Sequence, residues 1–493
     1  MIDVSHLIAN PDRLYIGGCW EAPSSDAQFD LVNPTTEEPF LRVAEAQAED
    51  MARAIAAARK AFDTGPWPWL SPAERGSYLT ALADALDKRT NEIAALTASE
   101  NGSILSVAQG ISGYANFLYR FYADLAGSFA FEEVHTPGAG GAHGLLVREP
   151  VGVVGAIIPW NAPPLLIAAK LAPALLAGCT VILKASPEAP GAAYIVGEVC
   201  EAIGLPPGVV NIVTADREVS ELLVRDPNVD KITFTGSSVA GRRIASICGD
   251  RIARCTLELG GKSAAVVYDD YDVGKVAEVL ARAIPVQTGQ VCAALTRVVV
   301  ARSRHDDLVE ALGAAFAAVR VGDPLSGDTQ MGPLAMRRQR DRVEDYIEKG
   351  RAEGATLAFG GSRPSHLNRG FFIEPTVFSN VDNGMTIARE EIFGPVVSVI
   401  AADSEEQAIE IANDTPFGLN AAIFTNDVDR AYHAARRLRS GTVGHNEMRG
   451  DFSIGFGGFK QSGIGREGGV EGLRPFLEAK TVILDGVPSH GKS

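Results

Sequence analysis

Four short stretches carry side chains whose chemistry goes beyond packing. In TGQVCAALTR, Cys292 follows a Thr-Gly-Gln turn and precedes a strand-like VVV, which puts it on a loop between elements. An exposed thiolate there is a strong nucleophile toward carbonyl carbon, whereas a thiol folded inward is a small apolar side chain. No histidine lies near it in sequence, although distance in sequence does not settle distance in space. In LELGGKS, Glu258 ends an apolar strand just before two glycines. A carboxylate beside a cavity can have its pKa raised and act as general base; a capping or salt-bridged glutamate is the other reading. In IIPWNAP, Asn161 stands before a Pro-Pro helix start. Its amide can donate to a developing oxyanion, or it can serve the turn alone. In KITFTGSSVAGRRIA a strand ends at Phe234, and Gly236 to Gly241 opens a helix with Ser237 and Ser238 in its first turn. Free N–H groups and the helix dipole attract a phosphate there, and Ser237 reads equally as a plain N-cap. The GxGxxG spacing is absent. GGKS at 260–263 is no P-loop either, because Thr256 stands where the first glycine would be.

These residues need elements to hold them. Residues 48–128 read as a helical run: apolar positions in AEDMARAIAAARKAF recur every three to four residues, and SPAERGSYLTALADAL opens with Ser71 and Pro72. From 145 onward short buried-type strands alternate with helices. LLVREPVGVVGAII, PPLLIAAKLAPALLAG, TVILK, a helix near 189–203, GVVNIV, a short helix, KITFTG and a helix from Ser237 follow in order. Such alternation implies βαβ units and a parallel sheet covered on both faces. The run 253–268, with its glycine pair, looks like a boundary. A second series spans roughly 272–440: the helix from DVGKVAEVL, strand RVVVA, helices 305–319 and 338–353, strand PVVSVI, helix 403–413 and strand AAIFT. Glycine is dense in 455–469, which asks for unusual backbone angles. Segment 128–150 and KTVILDG are candidates for an accessory sheet.

The chain has 493 residues, with 45 basic and 61 acidic side chains and a net charge of −16. At roughly 150 residues per domain that is about three units. The acidic excess without a basic patch argues against nucleic acid or an anionic membrane as partner. No stretch reaches the roughly 18 apolar residues of a membrane span, and the opening MIDVSHLIANPDRLYIGG lacks the pattern of a secretory signal. Six cysteines with no CxxC pair read as reduced thiols in a cytoplasmic protein. The eight histidines show no metal-ligand spacing, so no metal is expected.

Taken together and in order, the motifs resemble the aldehyde dehydrogenase superfamily across nearly the whole chain. The matching stretches are PWNAP (159–163), LELGGKS (257–263), GQVC (289–292), EEIFGPV (390–396) and FGGFKQSGIGRE (456–467). The resemblance implies Cys292 as the nucleophile that captures an aldehyde as a thiohemiacetal. Asn161 and the Cys292 N–H would stabilise the oxyanion, hydride would leave to a nicotinamide, and Glu258 would activate the water that hydrolyses the thioester. Lys170 and Glu467 match a proton relay. The resemblance also implies the cofactor contacts. Lys184 would meet the adenosine ribose and Glu391 the nicotinamide ribose, with Phe393 beside it. Trp160 and the backbone at Ile157 and Ile158 would line the nicotinamide end. Gly236 and Ser237 would meet the pyrophosphate, Leu259 the carboxamide, and Gln339 and Arg342 the far ribose.

NAD is the cofactor implied, with NADP open because Pro187 stands where many NAD-preferring relatives have a glutamate, Glu188 being shifted by one. Tunnel positions hold Tyr114, Ala162, Leu165, Leu166, Ala169, Val291, Met448, Gly450 and Phe456. With no arginine and few bulky aromatics among them, they suit a hydrophobic aldehyde, aliphatic or aromatic. The expected architecture is α/β: a Rossmann-like cofactor domain (1–127 and 150–259), an α/β catalytic domain (260–450) and a small β oligomerisation element (128–149 and 476–493) that makes a homodimer or homotetramer. The rival readings are a coenzyme A-acylating enzyme, disfavoured by Glu258, and a non-catalytic protein on the same fold.

Overall fold

A computed structural model describes Val4 and residues 6–489. The ends of the expected 1–127 and 476–493 segments therefore lie partly outside the described residues. Four helices, Ala48–Thr64, Pro72–Asp87, Thr90–Asn101 and Leu105–Leu125, fill the predicted helical run. Ser71 and Glu74 cap the second reciprocally, as the Ser-Pro start implied.

Strands Val153–Ile157, Thr180–Ala185, Val210–Thr214, Lys231–Thr235 and Arg254–Glu258 form the parallel centre of an eight-stranded sheet. The first four are buried throughout, as a sheet packed on both faces requires. Apart from Lys170, helix Pro163–Ala177 is apolar all round, and it lies almost entirely in the core. The edge strands were not legible. Leu14–Ile16 and Cys19–Glu21 are three residues each, too short for a period of two to register. The chain divides within LLVREPVGVVGAII: His143–Pro150 joins a separate three-stranded sheet, and only Val153–Ile157 enters the large one. Gly152, at φ 130°, makes the break.

Beyond Glu258 the chain crosses through Gly260–Gly261 into a seven-stranded sheet. In it Ala264–Val267, Arg297–Ala301, Thr376–Ser379, Val396–Ala402, Asn420–Phe424 and Thr442–His445 run parallel. The glycine-dense segment then returns to the first sheet. Gly463–Ile464 pairs antiparallel with Arg254–Glu258, placing Gly463 opposite Glu258. Finally Leu477–Leu484 pairs along its whole length with His143–Pro150.

Candidate active site

A cavity of about 1250 Å³ opens at the carboxyl ends of the central strands of the eight-stranded sheet, where ligands bind in open α/β sheets. Trp160, Asn161, Gly236, Ser237 and Leu259 line one side; Cys292, Gln339, Arg342, Glu391 and Phe393 line the other.

Cys292 is partly buried and follows three consecutive left-handed residues: Gln287 (φ 49°), Thr288 (φ 56°) and Gly289 (φ 72°). Neighbours pin this strained turn. The Thr288 hydroxyl donates to the carbonyls of Gly332 (2.9 Å) and Pro333 (3.1 Å). The Gln290 side-chain oxygen accepts from the Ala335 N–H at 3.0 Å. A Cβ on Gly289 would lie 2.3 Å from the Gly394 carbonyl carbon, so only glycine fits. The Asn161 side-chain amide donates to the Gln290 carbonyl at 3.0 Å, and the Asn161 backbone carbonyl accepts from the side chains of Asn101 and Gln287. One amide N–H of Asn161 thus anchors the nucleophile's turn, leaving the other for the cleft. Burial pushes the Cys292 thiol up, and the carboxylates of Glu258 and Glu391 push it further.

Glu258 is buried, and neither carboxylate oxygen has a hydrogen-bond partner. Burial raises its pKa well above the ordinary glutamate range, Glu467 adds to the rise, and Lys170 and Arg466 oppose it. Behind it the Lys170 ammonium pairs with Glu467 and donates to the Thr235 hydroxyl at 2.5 Å. Thr235 lines the cleft, so these buried groups connect with it. Room for the carboxylate depends on Gly457, where a Cβ would sit 2.5 Å from Glu258 Oε1.

On the other wall, Ser237 caps helix Ser238–Asp250, its hydroxyl accepting from the Ala240 N–H at 3.3 Å. Gly236 and Gly241 have no room for side chains, their Cβ positions falling 2.5 Å from Phe234 and Leu259. The Glu391 carboxylate accepts from the Gly261 N–H at 3.2 Å, and burial lifts its pKa to about 7. Phe393 (φ 63°) meets Trp160 edge-on at 5.4 Å. Gln339 donates to the carbonyls of Ile392 and Phe393, and Arg342 to those of Glu391 and Ile392. Both line the cleft while holding the backbone that carries Glu391.

Lys184 is buried outside the cleft lining, and desolvation lowers its pKa to about 8 against the pull of Glu188 and Asp216. Glu188 accepts from the Ser186 hydroxyl and the Arg338 guanidinium. Ile157 and Ile158 bury their side chains in the core, with Ile158 N–H donating to the Lys184 carbonyl.

Along the apolar arm, Tyr114, Ala162, Leu165, Leu166, Val291, Met448, Gly450 and Phe456 line the cavity. Ala169 does not: it is 1% exposed, within the core under helix Pro163–Ala177. Two residues correct the expected composition. Phe452 lines the arm, stacking on Phe456 at 4.5 Å, so aromatics are more numerous than the sequence suggested. Arg449 also lines it, although Glu447 pairs with its guanidinium at 2.7 Å. Neither sits in a periodic element that could have announced it. Val107 and Ile111 line the cavity too, and their helical spacing from Tyr114 was a usable signal. Among the described residues no cluster of three or more His, Cys, Asp or Glu could hold a metal, and no helix is long and apolar enough to cross a membrane.

Residues 20–482 match the aldehyde dehydrogenase family. A geranial dehydrogenase from Castellaniella defragrans is 43% identical over 96% of this chain and 99% of its own. An aldehyde dehydrogenase of Mycobacterium tuberculosis solved with NAD+ superposes with a TM-score of 0.93 at 42% identity, covering 96% of this chain and 98% of that one. A variant of aldehyde dehydrogenase C from Pseudomonas syringae, solved with NAD+ and octanal, does so at 0.93 and 38% identity, covering 97% and 98%. The chain belongs to the aldehyde dehydrogenase family, oxidoreductases that act on the aldehyde group.

Proposed function

We propose that the protein oxidises an apolar aldehyde to its carboxylic acid with NAD, through a thioester on Cys292 that water hydrolyses. The observation that carries this is the meeting of Cys292 and Asn161 in an apolar cleft with an unpartnered carboxylate, Glu258, buried beside it. The named ligand and substrate of the relatives, octanal and geranial, support the apolar class.

The residues present fit a dinucleotide. Gly236 keeps the strand end free of a side chain, and helix Ser238–Asp250 presents its N-terminus to the cleft. Lys184, Glu391, Gln339 and Arg342 would hold the riboses, and Trp160 and Phe393 the far ring. Glu188, held beside Lys184, supports NAD over NADP, since a 2′-phosphate there would meet its charge. A nicotinamide bound in the cleft would supply the hydride acceptor.

The remaining steps fall to the protein. The Cys292 thiol ionises, its proton leaving to solvent in the cleft, and the thiolate sulfur attacks the aldehyde carbon, whose carbonyl oxygen gains charge. The free amide N–H of Asn161 and the Cys292 backbone N–H donate to that oxygen. Covalent capture holds the carbon in place through the oxidation. Glu258 then takes a proton from water as its oxygen attacks the thioester carbon. The C–S bond breaks, the acid leaves, and Cys292 is restored as thiolate. Glu467, Lys170 and Thr235 carry the proton away from Glu258.

Six free cysteines support a reducing, cytoplasmic setting. The three-stranded sheet, with Val134 and Ile483 exposed, supports assembly into a homodimer or homotetramer.

The test is nicotinamide reduction by purified protein against an aldehyde panel, with NAD and NADP in parallel. The expected result is turnover of apolar members with NAD, abolished in Cys292→Ala and indifferent to coenzyme A. Acyl-coenzyme A formation would replace hydrolysis by acyl transfer. Preference for charged aldehydes would overturn the substrate class, and no turnover with either cofactor would overturn the reading altogether.

A further inference from the structure

Helix Leu105–Leu125 borders the cavity and then runs past its mouth. At about 100° per residue, Gly110, Gly113, Tyr114, Phe117 and Phe121 fall in one stripe on its surface. Their rings form a series. Phe117 lies flat on Tyr114, with centroids 5.6 Å apart and planes 8° apart, and Phe121 follows at 6.3 Å. Inward, Tyr114 meets Phe452 edge-on at 6.4 Å, and Phe452 stacks on Phe456, which lines the cavity with Cys292.

Two features of this stripe lack a packing reason. Phe117 is 45% exposed, a large apolar ring set in water. Gly110 and Gly113 are exposed mid-helix, where glycine is among the poorest helix formers, and nothing stands within 4 Å of where their Cβ atoms would be. The glycines leave open space beside the rings, a shallow trough along the helix whose inner residue, Tyr114, lines the cavity. The trough's charges lie at the outer end, where Asp124 is exposed on the same stripe one turn beyond Phe121. Arg120 is turned to Asp84 and Asp87, and the Tyr114 hydroxyl accepts from the Phe452 N–H and donates to Asp451.

We propose that this trough is an outer stretch of the substrate channel, and that Phe117 selects aldehydes whose apolar chain is long enough to reach it. The occupant is the substrate's own tail, because the row of rings is continuous with the cavity that ends at Cys292. The inference rests on the proposed oxidation of apolar aldehydes and names their class more narrowly: long-chain aliphatic aldehydes.

The experiment compares kcat/KM for tetradecanal and hexanal in the full-length protein, in Phe117→Ala, Phe117→Trp and Gly113→Leu. Each further methylene that leaves water is worth about fourfold in kcat/KM, so tetradecanal should be the better substrate of the unaltered protein. Phe117→Ala should lower the tetradecanal-to-hexanal ratio about tenfold, through KM, as the ring's apolar surface is lost. Phe117→Trp should preserve it. Gly113→Leu should lower the ratio as well while raising Tm, since leucine is the better helix former; a purely structural role would not join those two effects. Hexanal turnover with a ratio unmoved by Phe117→Ala and Gly113→Leu overturns the inference alone. A smaller mass of Phe117→Ala by light scattering also overturns it, by making this face an interface between copies. If neither aldehyde is turned over, the oxidation reading falls and the inference with it.

Discussion

The surroundings of Glu258 raise its pKa in a place where the proposed chemistry needs a base. Burial disfavours its charge, and Glu467 adds repulsion that Lys170 and Arg466 only partly offset. The sign of the pH dependence follows. A raised carboxylate pKa leaves the group protonated through the ordinary glutamate range, so hydrolysis should climb with pH above that range and level off once Glu258 ionises. Glu258→Gln should flatten the climb and lower the steady-state rate about 10²–10⁴-fold, with a burst of nicotinamide reduction preceding the slow phase as the thioester accumulates. Stopped-flow absorbance across pH checks this; a Gln variant with full steady-state rate would remove Glu258 from the base role. Stability carries the opposite sign. A group whose folded pKa is raised favours the fold below its unfolded pKa, and that advantage fades as pH rises through the folded value. The Gln variant should therefore melt progressively higher than the unaltered protein as pH increases.

At the level of elements, the alternation of buried strands and amphipathic helices was legible from 145 to 440 because a parallel sheet packed on both faces leaves continuous apolar runs. The glycine pair after Glu258 was legible as a boundary, and there the chain does pass from one sheet to the other. What escaped has physical reasons. Ala169 shares a helical face with Leu165 and Leu166, but a helix apolar all round apart from Lys170 gives no sign of which side meets a cavity. Phe452 sits in a loop without period, and the left-handed turn before Cys292 uses Gln and Thr, which do not advertise a positive φ as glycine does. That turn carries a prediction. Gly289→Ala would force a Cβ against Gly394 and Pro395, so the loop must move. A displacement of about 1 Å at the nucleophile can cost on the order of 10²-fold in rate. The variant should lose that much kcat/KM and melt lower than the unaltered protein. Unchanged kinetics would mean the loop absorbs the methyl without moving Cys292.

On the scale of the whole molecule, the three-stranded sheet stands apart from the eight- and seven-stranded sheets. Strand Leu477–Leu484 pairs only with His143–Pro150, and Val134 (68%) and Ile483 (55%) expose apolar surface on this sheet, the kind of patch that marks an interface. Ending the chain after Phe476 should lower the mass measured by light scattering while leaving the eight- and seven-stranded sheets folded. A truncated protein of undiminished mass would place the interface elsewhere. The return of Gly463–Ile464 to the first sheet has a consequence for how the protein is made. Its strand order joins residues some two hundred positions apart, Leu257 with Ile464 and Glu258 with Gly463, and Glu467 reaches Lys170 only after the same return. During synthesis the first sheet thus lacks an edge strand, and Glu258 lacks its wall, until residues 457–467 have been made. A chain ending short of residue 457 should therefore fold its early strands without completing the wall around Glu258.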